Sequence, residues 1–300
     1  MTDLDGRTYL ITGANTGIGR ATALELGRRG ATLYLACRTE AKTRPVMDEI
    51  RANGNDDVHF LPLDLGDLAS VRACAEAFLA EDQPLHVLIN NAGLAGQRGL
   101  TKDGFEKTFG VNHLGHYLLT ELLLDRLKES APARIVNVAS KAHYKARGID
   151  WSALESPTKT TTGLDEYQTS KLANVLHAKE LARRLEGTGV TTYSLHPGVI
   201  ASDVWREVPW PFRSLMTMFM KSIEDGAKTS LHCATSEEAA SESGLYYDES
   251  RVKEPNPVAL KVALQDELRE RSEAWIASRA ATGRRGSAKA PGAEHNAPPS

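Results

Sequence analysis

The run Thr12-Gly-Ala-Asn-Thr-Gly-Ile-Gly19 constrains this chain more than any other stretch. It follows a short apolar run (residues 7–12) and opens a segment with apolar positions at helical spacing (18–29). A glycine-rich turn between a buried strand and a helix is where an α/β chain brings its backbone against a phosphate. Gly13 permits the tight turn. Gly17 and Gly19 permit close backbone approach and close helix–strand packing. The unpaired amides and positive dipole end of the helix then face the anion. The turn predicts a first βα unit that binds a dinucleotide.

The rest of the chain repeats that unit. Short apolar runs at 32–37, 58–62, 86–90, 134–139 and 190–196 read as strands, with a seventh at 244–247. Between them, 40–52, 68–79, 104–129 and 166–186 read as helices. Continuous apolar runs mark strands buried on both faces, and their alternation with helices predicts a doubly wound parallel sheet, a Rossmann-type α/β fold, in one domain over 1–281. Three regions depart from the pattern. Residues 141–164 form a long polar connection. Residues 199–221 carry Trp205, Trp210, Phe212, Met216, Met218, Phe219 and Met220. Residues 282–300, rich in Gly, Ala and Pro, are expected to be disordered.

Bulk properties exclude several classes. With 41% hydrophobic and 25% charged residues there is ample apolar material for a core, and a net charge of −3 leaves no nucleic-acid footprint. Cys37, Cys74 and Cys233 are far apart, which predicts neither disulfides nor a thiolate metal site and points to a reducing, cytoplasmic compartment. Met1-Thr-Asp-Leu-Asp-Gly leads directly into the first strand, so no secretory leader is expected, and no run of 18 apolar residues predicts a membrane span. His113 and His116 have no acidic or thiol cluster beside them, so no metal is expected.

Tyr167-Gln-Thr-Ser-Lys171 puts a phenol and an ammonium one helical turn apart. A free phenol, with a pKa of about 10, exchanges protons poorly at neutral pH, and a neighbouring Lys⁺ favours its phenolate. Such a pair recurs by chance on surface helices; its company here is the glycine loop, Asn90-Asn-Ala-Gly93, Asn112 and Ser140.

The spacing Gly-x-x-x-Gly-x-Gly after Thr12 resembles the short-chain dehydrogenase/reductase family, and the resemblance covers about residues 5–250. Asp64-Leu65 resembles the family's adenine-contacting pair, Asn90–Gly93 its motif after the fourth strand (Asn91, Ala92 and Gly93 at the cofactor), and Asn112, Ser140, Tyr167 and Lys171 its catalytic tetrad. Pro197-Gly198-Val199, with Ser202, resembles the segment that holds the nicotinamide carboxamide. The glycine loop implies cofactor contacts from Gly13, Asn15, Thr16, Gly17, Ile18 and Gly19. The resemblance implies that Tyr167 exchanges a proton with the substrate oxygen, that Lys171 lowers its pKa and binds the ribose, that Ser140 hydrogen-bonds the oxyanion, and that Asn112 holds a water joining Lys171 to solvent.

The end of the second strand discriminates between NAD and NADP. A carboxylate there repels a 2′-phosphate; this chain has Ala36-Cys37-Arg38, so Arg38, with Lys42 and Asn15, favours NADP(H). Within the family, Ala36-Cys37-Arg38, Val111-Asn-His-Leu-Gly-His116, Ser170–Asn174, Glu180–Leu185 and Leu195–Gly198 resemble the retinol dehydrogenase-like branch. That implies an apolar alcohol and its aldehyde or ketone, with no N-terminal anchor helix of the kind in membrane-bound members expected. For the 199–221 segment, an apolar lid, ordinary core packing and a membrane-touching surface all stay open. A reductase of a conjugated C=C bond and a non-catalytic NADP(H)-responsive protein are the competing functions. Family analogy suggests a homodimer or homotetramer through the helices carrying Asn112 and Tyr167.

Overall fold

The computed structural model describes residues 3–198 and 223–287, with side chains as far as residue 280. Strands β1 (Thr8–Thr12), β2 (Thr32–Cys37), β3 (Val58–Pro62), β4 (Val87–Asn90), β5 (Ala133–Val138), β6 (Val190–His196), β7 (Leu245–Asp248) and β8 (Arg251–Lys253) form one sheet. Their order is β3-β2-β1-β4-β5-β6-β7-β8. Neighbours from β3 to β7 are parallel, and only β8 returns antiparallel on β7. The helices are α1 (Gly17–Arg28), α2 (Glu40–Ala52), α3 (Leu68–Ala80), the short α4 (Lys107–Phe109), α5 (Gly115–Glu129), α6 (Leu164–Arg184), α7 (Ile223–Thr235) and α8 (Val262–Ser287).

Alternation along the strands explains the two layers. Leu10, Leu88 and Ile135 face a core with Phe78, Leu119, Leu123, Leu172 and Leu176 from α3, α5 and α6. Their neighbours Tyr9, Ile11, Val87, Ile89 and Val136 face the opposite core, closed by Leu26, Val46, Ile50 and Cys233 from α1, α2 and α7. Burial on both faces is what the continuous apolar runs predict. The strand order reverses between β1 and β4, so the crevice for a ligand opens at the carboxyl ends of those two strands.

The structure departs from the sequence expectations in four places. The helix expected from residue 104 begins at Lys107, because Gly104 is left-handed (φ +83) and the Glu106 carboxylate caps the Phe109 amide at 2.7 Å. β8 has no apolar signal: its three residues are exposed, and the Glu249-Ser250 turn, with φ of +55 and +58, folds it back on β7. The alternation read from sequence also stops short of α7 and α8. Finally, α8 continues to Ser287, so residues 282–287 of the expected disordered tail are helical. Each added residue there gains one backbone hydrogen bond on a helix already nucleated. The remainder of that tail, and the 199–222 segment, lie outside the described residues.

α8 crosses the outer side of α5 and α6. Leu268 enters the core, Arg183 pairs with Asp266 at 2.5 Å, and Trp275 meets Phe105 and Phe109 at ring distances of 5.7 and 5.9 Å. The polar connection before α6 is also anchored. Thr158 donates to the buried Glu106 carboxylate at 2.5 Å, and the Glu166 carboxylate accepts from the amides of Lys159 and Thr160 at 3.0 Å each.

Candidate active site

The glycines of the first turn are set by contact as much as by dihedral. Gly13 is left-handed (φ +67), and a Cβ there would lie 2.9 Å from both Cα and Cβ of Ala92. A Cβ on Gly19 would collide with the Asn91 amide and the Gly13 carbonyl oxygen. The β1 turn, the start of α1 and the turn after β4 are thereby packed backbone to backbone. Asn91 fastens them further, its Nδ2 donating to the Thr12 carbonyl at 2.8 Å. Gly17 opens α1, whose first amides lack intrahelical acceptors; Thr16 is its N-cap, preceded by Asn15, and Ile18 lies in its first turn.

On the β2–β3 side, Arg38 follows β2 directly and is exposed, as is Lys42 in the first turn of α2. Neither side chain has an ion pair or hydrogen bond among the described residues, whereas Glu40 is taken by Arg44 at 2.7 Å. Asp64 closes the turn after β3 by accepting from the Gly66 amide at 2.9 Å. Leu65, beside it, is buried under the start of α5, where a Cβ on Gly115 would lie 2.5 Å from its carbonyl oxygen.

Tyr167 and Lys171 are both on α6 and both buried, 7% and 4% exposed. Lys171 Nζ lies 5.7 Å from the Tyr167 ring centre and donates to the Val138 carbonyl at the end of β5 at 2.8 Å. Asn174 Nδ2 donates to the same carbonyl at 3.3 Å. Ser140, two residues beyond β5, hydrogen-bonds the Tyr167 hydroxyl and accepts from the Ala142 amide at 3.2 Å. Phenol, hydroxyl and ammonium thus converge at the carboxyl end of β5.

Burial dominates the electrostatics of the pair. Burial pushes the Tyr167 phenol up, and the bond with Ser140 only partly offsets it. Burial also pulls the Lys171 ammonium down to about 8. Desolvation penalises the charged form of each.

Asn112 sits in a π-helical turn (Gly110–Leu114), where the Gly115 amide bonds the Gly110 carbonyl. Such one-turn bulges re-aim side chains, often at functional sites. The Asn112 carboxamide grips one residue from both sides: Oδ1 accepts from the Leu94 amide at 2.8 Å, and Nδ2 donates to the Leu94 carbonyl at 2.9 Å and to Ser170 Oγ at 3.1 Å. Gly93 lies between this residue and Lys171; a Cβ there would stand 3.4 Å from Asn112 Oδ1 and 3.5 Å from Lys171 Nζ.

Four participants fall outside the site residues expected from sequence: Thr12, His116, His143 and Asn256. Thr12 Oγ1 accepts from the Asn91 and Ala92 amides at 2.9 Å each. His143 holds the Ser140 carbonyl through Nδ1 at 2.6 Å, and its Nε2 accepts from the Asn256 amide at 3.1 Å. Asn256 Nδ2 closes the clamp on the carbonyls of His143 and Ala146 at 2.8 and 2.7 Å. The one sequence signal available was the i, i+4 spacing of Asn112 and His116. Pro197 and Gly198 (φ +101) follow β6 directly, next to the Ser140 loop; Val199 and Ser202 lie outside the described residues. Among the described residues no group of three or more His, Cys, Asp or Glu is arranged to hold a metal.

Comparison with known proteins points the same way. A family model described as short chain dehydrogenase matches residues 7–210. Retinol dehydrogenase 12 of Homo sapiens is 50% identical over 255 residues, which span 83% of this chain and 79% of that protein. A solved structure from Mycobacterium Paratuberculosis superposes with a TM-score of 0.74 at 32% identity, covering 91% of this chain and 94% of its own. A 3-ketoacyl-(acyl-carrier-protein) reductase of Brucella melitensis, complexed with NADH, shares the fold at 24% identity (TM-score 0.65, 86% of this chain, 100% of that one).

Proposed function

This chain is an oxidoreductase of the short-chain dehydrogenase/reductase family, in its retinol dehydrogenase-like branch, and from that premise we propose that it is an NADP(H)-dependent enzyme interconverting an apolar alcohol and its aldehyde or ketone. The observation that carries the reading is the convergence of Ser140, Tyr167 and Lys171 beside the crevice between β1 and β4.

The residues present fit a dinucleotide. A Cβ at Gly13 or Gly19 would drive apart the turns that line the crevice, and the open amides of α1 suit a pyrophosphate. In this reading Asp64 and Leu65 contact the adenine, and Asn91, Ala92 and Gly93 contact the cofactor at the end of β4. Pro197, Gly198, Val199 and Ser202 are assigned to the nicotinamide. When bound, the nicotinamide supplies or takes the hydride. In the reducing direction Tyr167 donates its phenolic proton to the carbonyl oxygen, and in the oxidising direction it takes that proton back. The Ser140 hydroxyl donates to the same oxygen as charge develops on it. Lys171, one turn along α6, stabilises the phenolate left behind, and Asn112 fixes residue 94 beside it.

Similarity to retinol dehydrogenase 12 supports an apolar substrate. The three cysteines are free and buried, in keeping with a reducing, cytoplasmic setting. The test is NADPH oxidation over a panel of apolar aldehydes, ketones and enones. Turnover confined to enones would instead make the chain a C=C reductase, and tight NADPH binding with no turnover would make it a binding protein.

Arg38 is the proposed reader of the 2′-phosphate, with Lys42 and Asn15 as further contacts. Its freedom from other partners among the described residues supports this. Arg38→Asp should lower kcat/KM with NADPH about 10–100-fold, the worth of one charge-assisted contact, and relatively favour NADH. Steady-state kinetics with both cofactors check it; an unchanged ratio would assign the phosphate to another group.

A further inference from the structure

We infer that His116 is a positioning residue that locks the cofactor crevice to the Asn112 turn, acting through Thr12. The proposal rests on the NADP(H) reading above and adds a residue that this reading does not use.

Four groups surround Thr12 Oγ1. The amides of Asn91 and Ala92 lie at 2.9 Å each, His116 Nε2 at 2.8 Å and the Ile89 carbonyl at 3.5 Å. Amides only donate, so they occupy the two lone pairs of the hydroxyl. Its single proton then goes to the nearer acceptor, His116 Nε2. On the other side of the ring, Nδ1 lies 3.0 Å from the Asn112 carbonyl, which only accepts. The ring therefore carries its proton on Nδ1. The chain runs one way: Asn91 and Ala92 amides to Thr12 Oγ1, Thr12 hydroxyl to His116 Nε2, His116 Nδ1–H to Asn112 O. It is satisfied only by a neutral imidazole in one tautomer.

His116 is 2% exposed, and burial, with Lys171 nearby, keeps it neutral. Every polar side-chain atom of Thr12 and His116 is paired in this relay, and buried hydrogen-bond networks of this kind are rigid. The segment 91–94 is held at its start by Thr12 and at its end by the Asn112 carboxamide. Among the described residues His116 is the one side chain hydrogen-bonded to both holders. It thus sets the distance between the floor of the crevice and the residues beside Lys171.

The experiment is a double-mutant cycle in the full chain with Thr12→Val and His116→Leu. NADPH dissociation constants come from cofactor fluorescence, and kcat and KM from the best panel substrate. His116→Leu should weaken NADPH and lower kcat by about tenfold, the worth of one buried hydrogen bond; Thr12→Val, which also takes the acceptor from two amides, should cost more, and the double variant should be no worse than Thr12→Val alone. Thr12→Ser and His116→Gln, which keep a hydroxyl and a donor–acceptor pair, should recover to within about threefold; they carry the test if His116→Leu does not fold. Single effects that multiply in the double variant would reduce both residues to independent packing and overturn the proposal, as would unchanged NADPH affinity in His116→Leu. Binding is read without substrate, so the two readings fail separately: an unsubstituted chain that binds no NADPH defeats the function itself.

Discussion

Tyr167→Phe is expected to reduce turnover by about 10²–10⁴-fold and to leave NADPH affinity within about twofold, because it removes a positioned acid/base and nothing else. The ring is buried against α6 and its surroundings, so phenylalanine keeps the packing and loses only the hydroxyl that Ser140 engages. Turnover within tenfold of the unsubstituted enzyme on every panel substrate would remove Tyr167 from the mechanism. The direction of its pKa shift adds a pH signature. Burial holds the phenol protonated through the neutral range. Carbonyl reduction, which needs the proton, should be flat around neutrality. Alcohol oxidation, which needs the phenolate, should climb with pH into the alkaline range. Rates measured in both directions across pH 6–10, roughly the span between the reference histidine and tyrosine values, check this.

Lys171→Met should separate stability from activity. Burial lowers the Lys171 pKa from its usual 10.5 to about 8. Between those values the unfolded chain holds more protons than the folded one, so stability rises with pH across that window and is lost again as pH falls through it. At pH 7 the whole cost of a buried charge is present, on the order of 3 kcal/mol. Methionine keeps the length of the side chain and removes the charge. The Val138 carbonyl that Lys171 engages keeps Asn174 as a donor, at 3.3 Å. The variant should therefore melt about 3–6 °C higher at neutral pH, an advantage that shrinks at pH 10, while turnover falls by about 10²-fold or more. A variant that melts below the unsubstituted protein at pH 7 would show that Lys171 is paired more strongly than its single bond to Val138 indicates.

Much of this architecture was legible in the residues. β2, α2, β3 and β6 fall at the expected boundaries, because strands buried on both faces are continuous apolar runs and α2 carries an apolar stripe between a Thr N-cap and Asn53-Gly54. The glycine loop was legible for a different reason: few chemistries other than close backbone approach need Gly at 13 and 19 together, and the contacts with Ala92 and Asn91 give that need a physical cause. What escaped was of two kinds. β8 is exposed and owes its existence to a turn rather than to apolar periodicity. The clamps were hidden because they join residues remote in the chain: Thr12 to His116 across 104 positions, and His143 to Asn256 across 113. A histidine inside an apolar helix looks alike in sequence whether it fills space or ties two loops together; only the partner atoms distinguish the cases.

α8 has a consequence for self-association. Its side chains occupy the outer side of α5 and α6: Arg269 lies 3.5 Å from Glu180 and 2.9 Å from its own Glu273, whose carboxylate also reaches the Tyr117 hydroxyl at 3.5 Å. Two copies meeting over the part of α6 that α8 covers would have to displace α8, stripping Leu268 from the core and exposing Trp275. Contact between two copies over the stretch of α6 that α8 covers therefore competes with the chain's own fold.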